Sequence, residues 1–156
     1  MEIPTKQQKR AAFALGELND KVSKNEVDSK LATFIVGMPN MILSNGIGQS
    51  MAFLMAKAAK KNKKGEKQNP EHEFVFLTIK KYLCENYGST FGEFKNDDIQ
   101  DENEAVRNNY DFLKKFNDTS QDEYIKMQNE VLRMVEWLKR YARAFETDSK
   151  KVTTGA

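Results

Sequence analysis

The sequence predicts an all-α fold: a single compact bundle of about six helices with short loops and one mobile, lysine-rich loop. Three observations predict it. Apolar residues recur at three- and four-residue steps in successive segments, which puts them on one face of a helix. Residues suited to helix starts stand ahead of several of these segments. No alternating apolar–polar run of useful strand length occurs, and no internal repeat.

The first helix opens at Thr5 and Gln8, whose spacing lets each side chain satisfy the other's free backbone N–H. Phe13, Leu15, Leu18 and Val22 form its apolar face, and it ends near Lys24-Asn25. A second helical face follows in Leu31, Phe34, Ile35, Met38, Met41 and Ile42. Pro39 falls inside it and predicts a kink or local break, because proline lacks an N–H and its ring clashes with the preceding turn. Asn45-Gly46, both tolerant of left-handed backbone, suit the closing of one helix and the turn into another. Ile47, Met51, Leu54, Met55 and Ala58 mark that next helix, which runs out into Lys57, Lys60, Lys61, Lys63, Lys64 and Lys67. Like charges this dense repel, so 62–68 is expected to be an exposed, mobile loop.

Order resumes at Asn69-Pro70, a capping residue followed by the residue favoured at the first helical position. Phe76, Ile79, Leu83 and Tyr87 carry this helix to a stop at Gly88. The acidic stretch 92–104 is expected to hold a short turn and the start of a helix whose buried side is Val106, Tyr110 and Leu113. The final helix has a second capping box, Ser120 and Glu123. Behind it Tyr124, Met127, Val131, Met134, Leu138, Tyr141 and Phe145 keep three- and four-residue steps throughout. Connections of about 2–8 residues suit such a bundle. One domain is expected over 1–146, with 147–156 as a flexible tail.

Composition narrows the function. Hydrophobic residues at 39% suffice for a core, and a net charge of +2 excludes a polybasic coat while permitting a local basic patch. The lone Cys84 cannot form an internal disulfide, and the Cys/His sets of structural zinc are missing. Met1-Glu2-Ile3-Pro4 does not begin a signal peptide, and no apolar run approaches the ~20 residues needed to cross a bilayer. A cytoplasmic protein with no membrane partner is expected.

The chain offers little for catalysis. His72 is the single histidine, without a nearby nucleophile motif, and reads as a surface structural residue. Asp97, Asp98, Asp101, Glu102 and Glu104 lack the ligand spacing and central glycine of an EF-hand, and read as a solvated helix start. Gly46-Ile47-Gly48 belongs to no phosphate-binding glycine motif and reads as a tight helix–helix corner. No enzyme, metal or cofactor is expected.

The basic residues carry more. Lys126, Arg133 and Arg140 are spaced by seven, and each lies two residues past an apolar position, about 200° around the helix. A cationic stripe therefore lies opposite the buried seam, broadened by Lys139 and Arg143. Lys57, Lys60 and Lys61 form a second set. An ordinary solvated face, helped by a Glu136–Arg140 pair, is one reading; RNA backbone contact is the other. No exposed aromatic platform or recognition module is evident in either set, so any RNA contact would be independent of base sequence. The methionines fill apolar faces. Trp137, off the seam, is either a second core face or an interface anchor.

Two segments resemble a known family. Residues 39–54 read PNMILSNGIGQSMAFL, and residues 124–145 read YIKMQNEVLRMVEWLKRYARAF. They resemble the signature regions of the small helical subunit of type III-B CRISPR effectors, the Cmr complexes. The matching positions are Pro39, Asn45, Gly46, Gly48, Gln49, Ala52, Phe53 and Leu54, then Tyr124, Glu130, Trp137, Leu138, Lys139, Arg140 and Ala142. Ile47 stands for the commoner leucine, Gln128 stands for the usual threonine, and the middle of the chain has no firm match.

The resemblance implies a subunit without nuclease activity that stacks with sister copies beside the backbone subunits and meets the large subunit. Together these would line a channel for the guide and target RNA. It favours Lys57, Lys60, Lys61, Lys139, Arg140 and Arg143 as RNA-backbone contacts, most directly Lys139 and Arg140, which lie within a matched motif. Pro39, Asn45, Gly46, Gly48, Gln49 and Trp137 become structural or interface candidates. The alternative is a helical protein–protein interaction module that uses the heptad-like final helix and has no nucleic-acid role.

Overall fold

Thr5 opens the first helix as its spacing to Gln8 predicts. The Gln8 N–H donates to Thr5 Oγ1 at 3.1 Å, and the Thr5 N–H donates to Gln8 Oε1 at 2.7 Å. The computed structural model describes residues 3–95 and 99–147. Over these residues the fold is all-α: α1 (Lys6–Ser23), α2 (Ser29–Ala58), α3 (Pro70–Asn86), the single turn α4 (Gly88–Phe91), a 3₁₀ turn (Gly92–Phe94), α5 (Glu102–Asn117) and α6 (Gln121–Ala144). The chain divides into two compact units. One is Met1–Met41 with Leu132–Ala156, the other Ile42–Val131.

In the first unit, α1 ends where expected. Asn25 takes a left-handed φ of 54°, and the amides of Lys24, Asn25 and Glu26 bond back to the last turn. Asp28 Oδ1 then accepts the Leu31 N–H at 2.8 Å and caps α2. Ala14, Leu18, Leu31, Ile35, Met38, Met134 and Leu138 are buried, whereas Leu15 on the expected face of α1 is exposed. The Thr147 N–H and hydroxyl both donate to Val27 O, at 2.6 and 3.0 Å. From 148 onward the expected tail lies outside the described residues.

The break expected at Pro39 is not there. Proline 39 is buried inside α2, and the helical path departs at Gly46, with φ 81° and ψ 159°. That conformation belongs to glycine, so the bend settles on the residue that adopts it without side-chain strain. Because α2 continues past Pro39, it is by length and composition long and apolar enough to cross a bilayer, with mean hydropathy 1.2 over 18 residues. This corrects the sequence reading, which counted no run of that length. Leu31, Ile35, Met38, Ile42, Ile47, Met51 and Leu54 of this helix are all buried within the fold. Its burial is one-sided, since Leu43 and Phe53 of the same helix are 65% and 40% exposed.

In the second unit, the 62–68 loop is exposed and folds back on itself. Lys61 and Lys67 pair across it, Asn62 Oδ1 accepts the Lys64 and Glu66 amides, and Gly65 turns with φ 79°. Asn69 does not cap α3 with its side chain; its Nδ2 donates to Lys57 O at 3.0 Å, satisfying the end of α2 instead. The stop after α3 falls on Tyr87, and Gly88 begins α4. On α5 the buried face is Phe112 and Phe116, not Val106 and Tyr110, which are 57% and 52% exposed. Aromatic packing decides the rotation of this helix. Phe91 and Phe94 meet Phe112 at ring-centroid distances of 5.1 and 6.1 Å, which buries more apolar area than valine and tyrosine would. Asp101 caps α5 through the Asn103 N–H, while Asp97 and Asp98 lie outside the described residues.

Candidate nucleic-acid interface

The bend at Gly46 and the final helix are joined by two hydrogen bonds within the second unit. A break leaves the first amides of the following helical segment without in-helix acceptors. Here the Ile47 N–H donates to Gln128 Oε1 at 2.9 Å and the Gly48 N–H to Tyr124 Oη at 2.8 Å. Ser50 Oγ donates to Gly46 O at 2.8 Å. The amides that might have cradled a phosphate are therefore already capped by neutral side chains from α6. Gly48 is needed for this approach, since a Cβ there would stand 2.8 Å from the Tyr124 hydroxyl. Of the structural candidates, Gly46 and Gly48 thus have a defined internal role and Pro39 is buried, while Asn45 and Gln49 are exposed. Tyr124 counted in the sequence as an apolar seam residue and a matched motif position, and Gln128 only as a departure from a motif. Their capping role has no signature in spacing, because it joins residues 76 and 81 positions apart.

The basic candidates fall into two sets, one in each unit. In the second unit, Lys57 is half-buried in the last turn of α2, and Lys60 and Lys61 are exposed just beyond it. Lys57 Nζ stands 5.7 Å from the centre of the Phe53 ring, one turn earlier. Lys61 is ion-paired and hydrogen-bonded to Glu102 at the start of α5. This side-chain hydrogen bond, and then the lysine's charge, hold the Glu102 carboxyl below its ordinary range.

A carboxylate with a depressed folded-state pKa contributes stability above its unfolded pKa and loses that contribution as pH falls through the folded value. Glu102 should therefore titrate by NMR below an ordinary glutamate, and Lys61→Met should bring its midpoint back up. An unchanged midpoint in the variant would refute the pairing. Lys61 thus has its charge partly neutralised. No carboxylate among the described residues pairs with Lys57 or Lys60.

In the first unit, the exposed Arg140 places its guanidinium 5.1 Å from the centre of the Trp137 ring. Trp137 stacks on Tyr141 at 5.8 Å and donates its indole N–H to Gln7 Oε1 at 3.0 Å. The Glu136–Arg140 pair expected from spacing is replaced by a contact between Lys139 and Glu136 at 4.0 Å. Arg143 pairs with Glu146 at 3.2 Å. Lys126 and Arg133 are exposed, as their position opposite the seam predicts.

Two sequence expectations need correction. Each basic set does contain an accessible aromatic: Phe53 is 40% exposed and Trp137 is half-buried. Both sit three or four residues from a cation on the same helix, a spacing that could have revealed them. His72 is not a surface residue. It is half-buried, with Nδ1 3.1 Å from Glu71 Oε1 and its ring 5.6 Å from that of Phe53, because the first turn of α3 faces α2 rather than solvent. Cys84 is buried in the core. Among the described residues no group of three or more His, Cys, Asp or Glu is placed to hold a metal ion.

The arrangement is thus two cationic edges, each backed by an aromatic ring, on helices whose opposite faces are buried. The sequence model of the family described as CRISPR-associated protein (Cas_Cmr5) matches residues 6–145, from the first residue of α1 to just past the end of α6. Both basic sets and both capping partners lie within the match. The chain belongs to the Cas_Cmr5 family of CRISPR-associated proteins, and is a Cmr-type small subunit.

Proposed function

We propose that this protein is the non-catalytic small subunit of a type III-B RNA-guided, RNA-targeting complex acting in antiviral defence in the cytoplasm. It stacks with sister copies, meets the large and backbone subunits, and contacts the guide and target RNA backbone through its basic residues. The observation that carries this reading is the family match over 6–145. The accessible cations support the RNA part: Arg133 and Arg140 are exposed on the solvent side of α6, and Lys60 is exposed just past the end of α2.

Arginine offers a planar fork to phosphate oxygens and lysine a point charge, and neither reads base identity from the backbone. Head-to-tail stacking is a heterologous contact, which permits assemblies of variable length. Each copy then adds a few phosphate contacts, and the assembly binds tightly through multivalency. Cleavage belongs to other subunits in this account.

Purifying the protein from its source cells, sequencing the RNA that stays with it and identifying the accompanying chains tests the proposal. The expected yield is short RNAs sharing a repeat-derived tag, together with other Cmr chains. Unrelated partners without RNA would instead support the helical interaction module.

A further inference from the structure

The second unit presents, at the end of α2, a ring beside two cations, and phosphate contact alone does not use the ring. Phe53 and Lys57 are spaced i, i+4 on the last turns of α2, and Lys60 follows just past its end, where its N–H donates to Lys57 O at 3.2 Å. Phe53 is 40% exposed, although its near neighbours Met51 and Leu54 are buried. Two groups pack against its ring, Lys57 Nζ at 5.7 Å and the tilted His72 ring at 5.6 Å. His72 is in turn fixed by Glu71 at 3.1 Å, and Glu71 is buried. An exposed aromatic held in place in this way loses little side-chain freedom when something stacks on it.

The geometry points to Phe53 as a stacking site for one unpaired base of single-stranded RNA, with Lys57 and Lys60 on the phosphates beside it; this rests on the RNA-contact reading above. Two features favour a nucleic acid over a protein occupant. Both ammonium groups lack a carboxylate partner among the described residues, so the edge carries uncompensated positive charge next to the ring. An apolar protein anchor would bury those charges at a cost, whereas an RNA strand brings a base and a phosphate together. Trp137 is the weaker candidate of the two aromatics, since Arg140, Tyr141 and Gln7 already engage its ring and N–H.

The test uses the full chain and a short single-stranded RNA carrying 2-aminopurine, together with the same RNA made abasic at that position. With the wild-type protein, the base analogue should be quenched on binding, and the abasic RNA should bind about tenfold or more weakly. Phe53→Ala should lose both the quenching and the preference for the intact base, while Phe53→Tyr keeps them. Circular dichroism confirms that the variants remain folded. Lys57→Ala with Lys60→Ala should lower affinity and flatten its salt dependence.

If Phe53→Ala binds both RNAs as the wild type does, with an unchanged salt dependence, stacking is overturned and the phosphate reading survives. If the wild type binds neither RNA at low salt, both fail. If Phe53→Ala releases a protein subunit from the complex while RNA binding is untouched, the site belongs to a protein and the stacking proposal is wrong.

Discussion

Replacing Gly46 with alanine is expected to destabilise the protein by about 1–3 kcal/mol, the cost of forcing a side chain into a backbone region that only glycine occupies freely. Gly46 has φ 81° and ψ 159°, a left-handed extended conformation. Space is not the obstacle: a Cβ there would meet the Tyr124 hydroxyl at 3.5 Å and Gln128 Oε1 at 3.7 Å, both ordinary contacts. The penalty is therefore conformational, and an alanine chain relieves it only by straightening α2 and withdrawing the Ile47 and Gly48 amides from Gln128 and Tyr124. Gly48 offers the opposite case. Its backbone suits alanine, but the new methyl would collide with the hydroxyl that accepts its own N–H. Urea unfolding of Gly46→Ala should show a clearly lower midpoint with an unchanged slope. An unshifted midpoint would mean that the bend is incidental.

Neutralising Lys139, Arg140 and Arg143 to glutamine is expected to weaken RNA binding roughly 3- to 150-fold, taking about 0.2–1 kcal/mol for each exposed charge contact. The slope of log affinity against log salt should become shallower by about 2–3, since each lost phosphate contact releases fewer counterions. The three residues should not contribute equally. Lys139 and Arg143 each have a glutamate nearby, Glu136 at 4.0 Å and Glu146 at 3.2 Å, which offsets part of their charge. Arg140 has the Trp137 face instead, which orients the guanidinium without cancelling it. Arg140→Gln alone should thus account for the largest single share. All three side chains lie on the solvent side of α6 or at its half-buried margin, so folding should be spared. Under the protein-interaction alternative, RNA retention would be the same in the variant.

The helices were legible because their signals are local. The Thr5–Gln8 box, the four- and three-residue steps of α6 and the Asn45-Gly46 turn each involve residues within one or two turns of each other, and each has its structural counterpart. What was not legible depends on contacts distant in sequence. The rotation of α5 follows from Phe91 and Phe94, which no periodicity within α5 can reveal. Asn69 has the composition of a cap, but its amide serves the end of α2 twelve residues earlier. Pro39 carries the sequence's strongest breaking signal, yet the bend lies seven residues on, where glycine backbone and two α6 acceptors coincide. On the candidate interface, the exposure of Lys126, Arg133 and Arg140 was readable from spacing alone. The partners of the cations were not: which carboxylate neutralises Lys61, and which rings back Lys57 and Arg140, depends on side-chain packing.

The most direct test of the account is the affinity of the full chain for a guide–target RNA duplex, measured across a range of salt concentrations. The prediction is weak binding at low salt that falls linearly on logarithmic axes and steeply. It should be indifferent to the duplex sequence and reduced by Lys139→Gln, Arg140→Gln and Arg143→Gln together. An affinity that does not respond to salt, or one that the triple substitution leaves untouched, would contradict it.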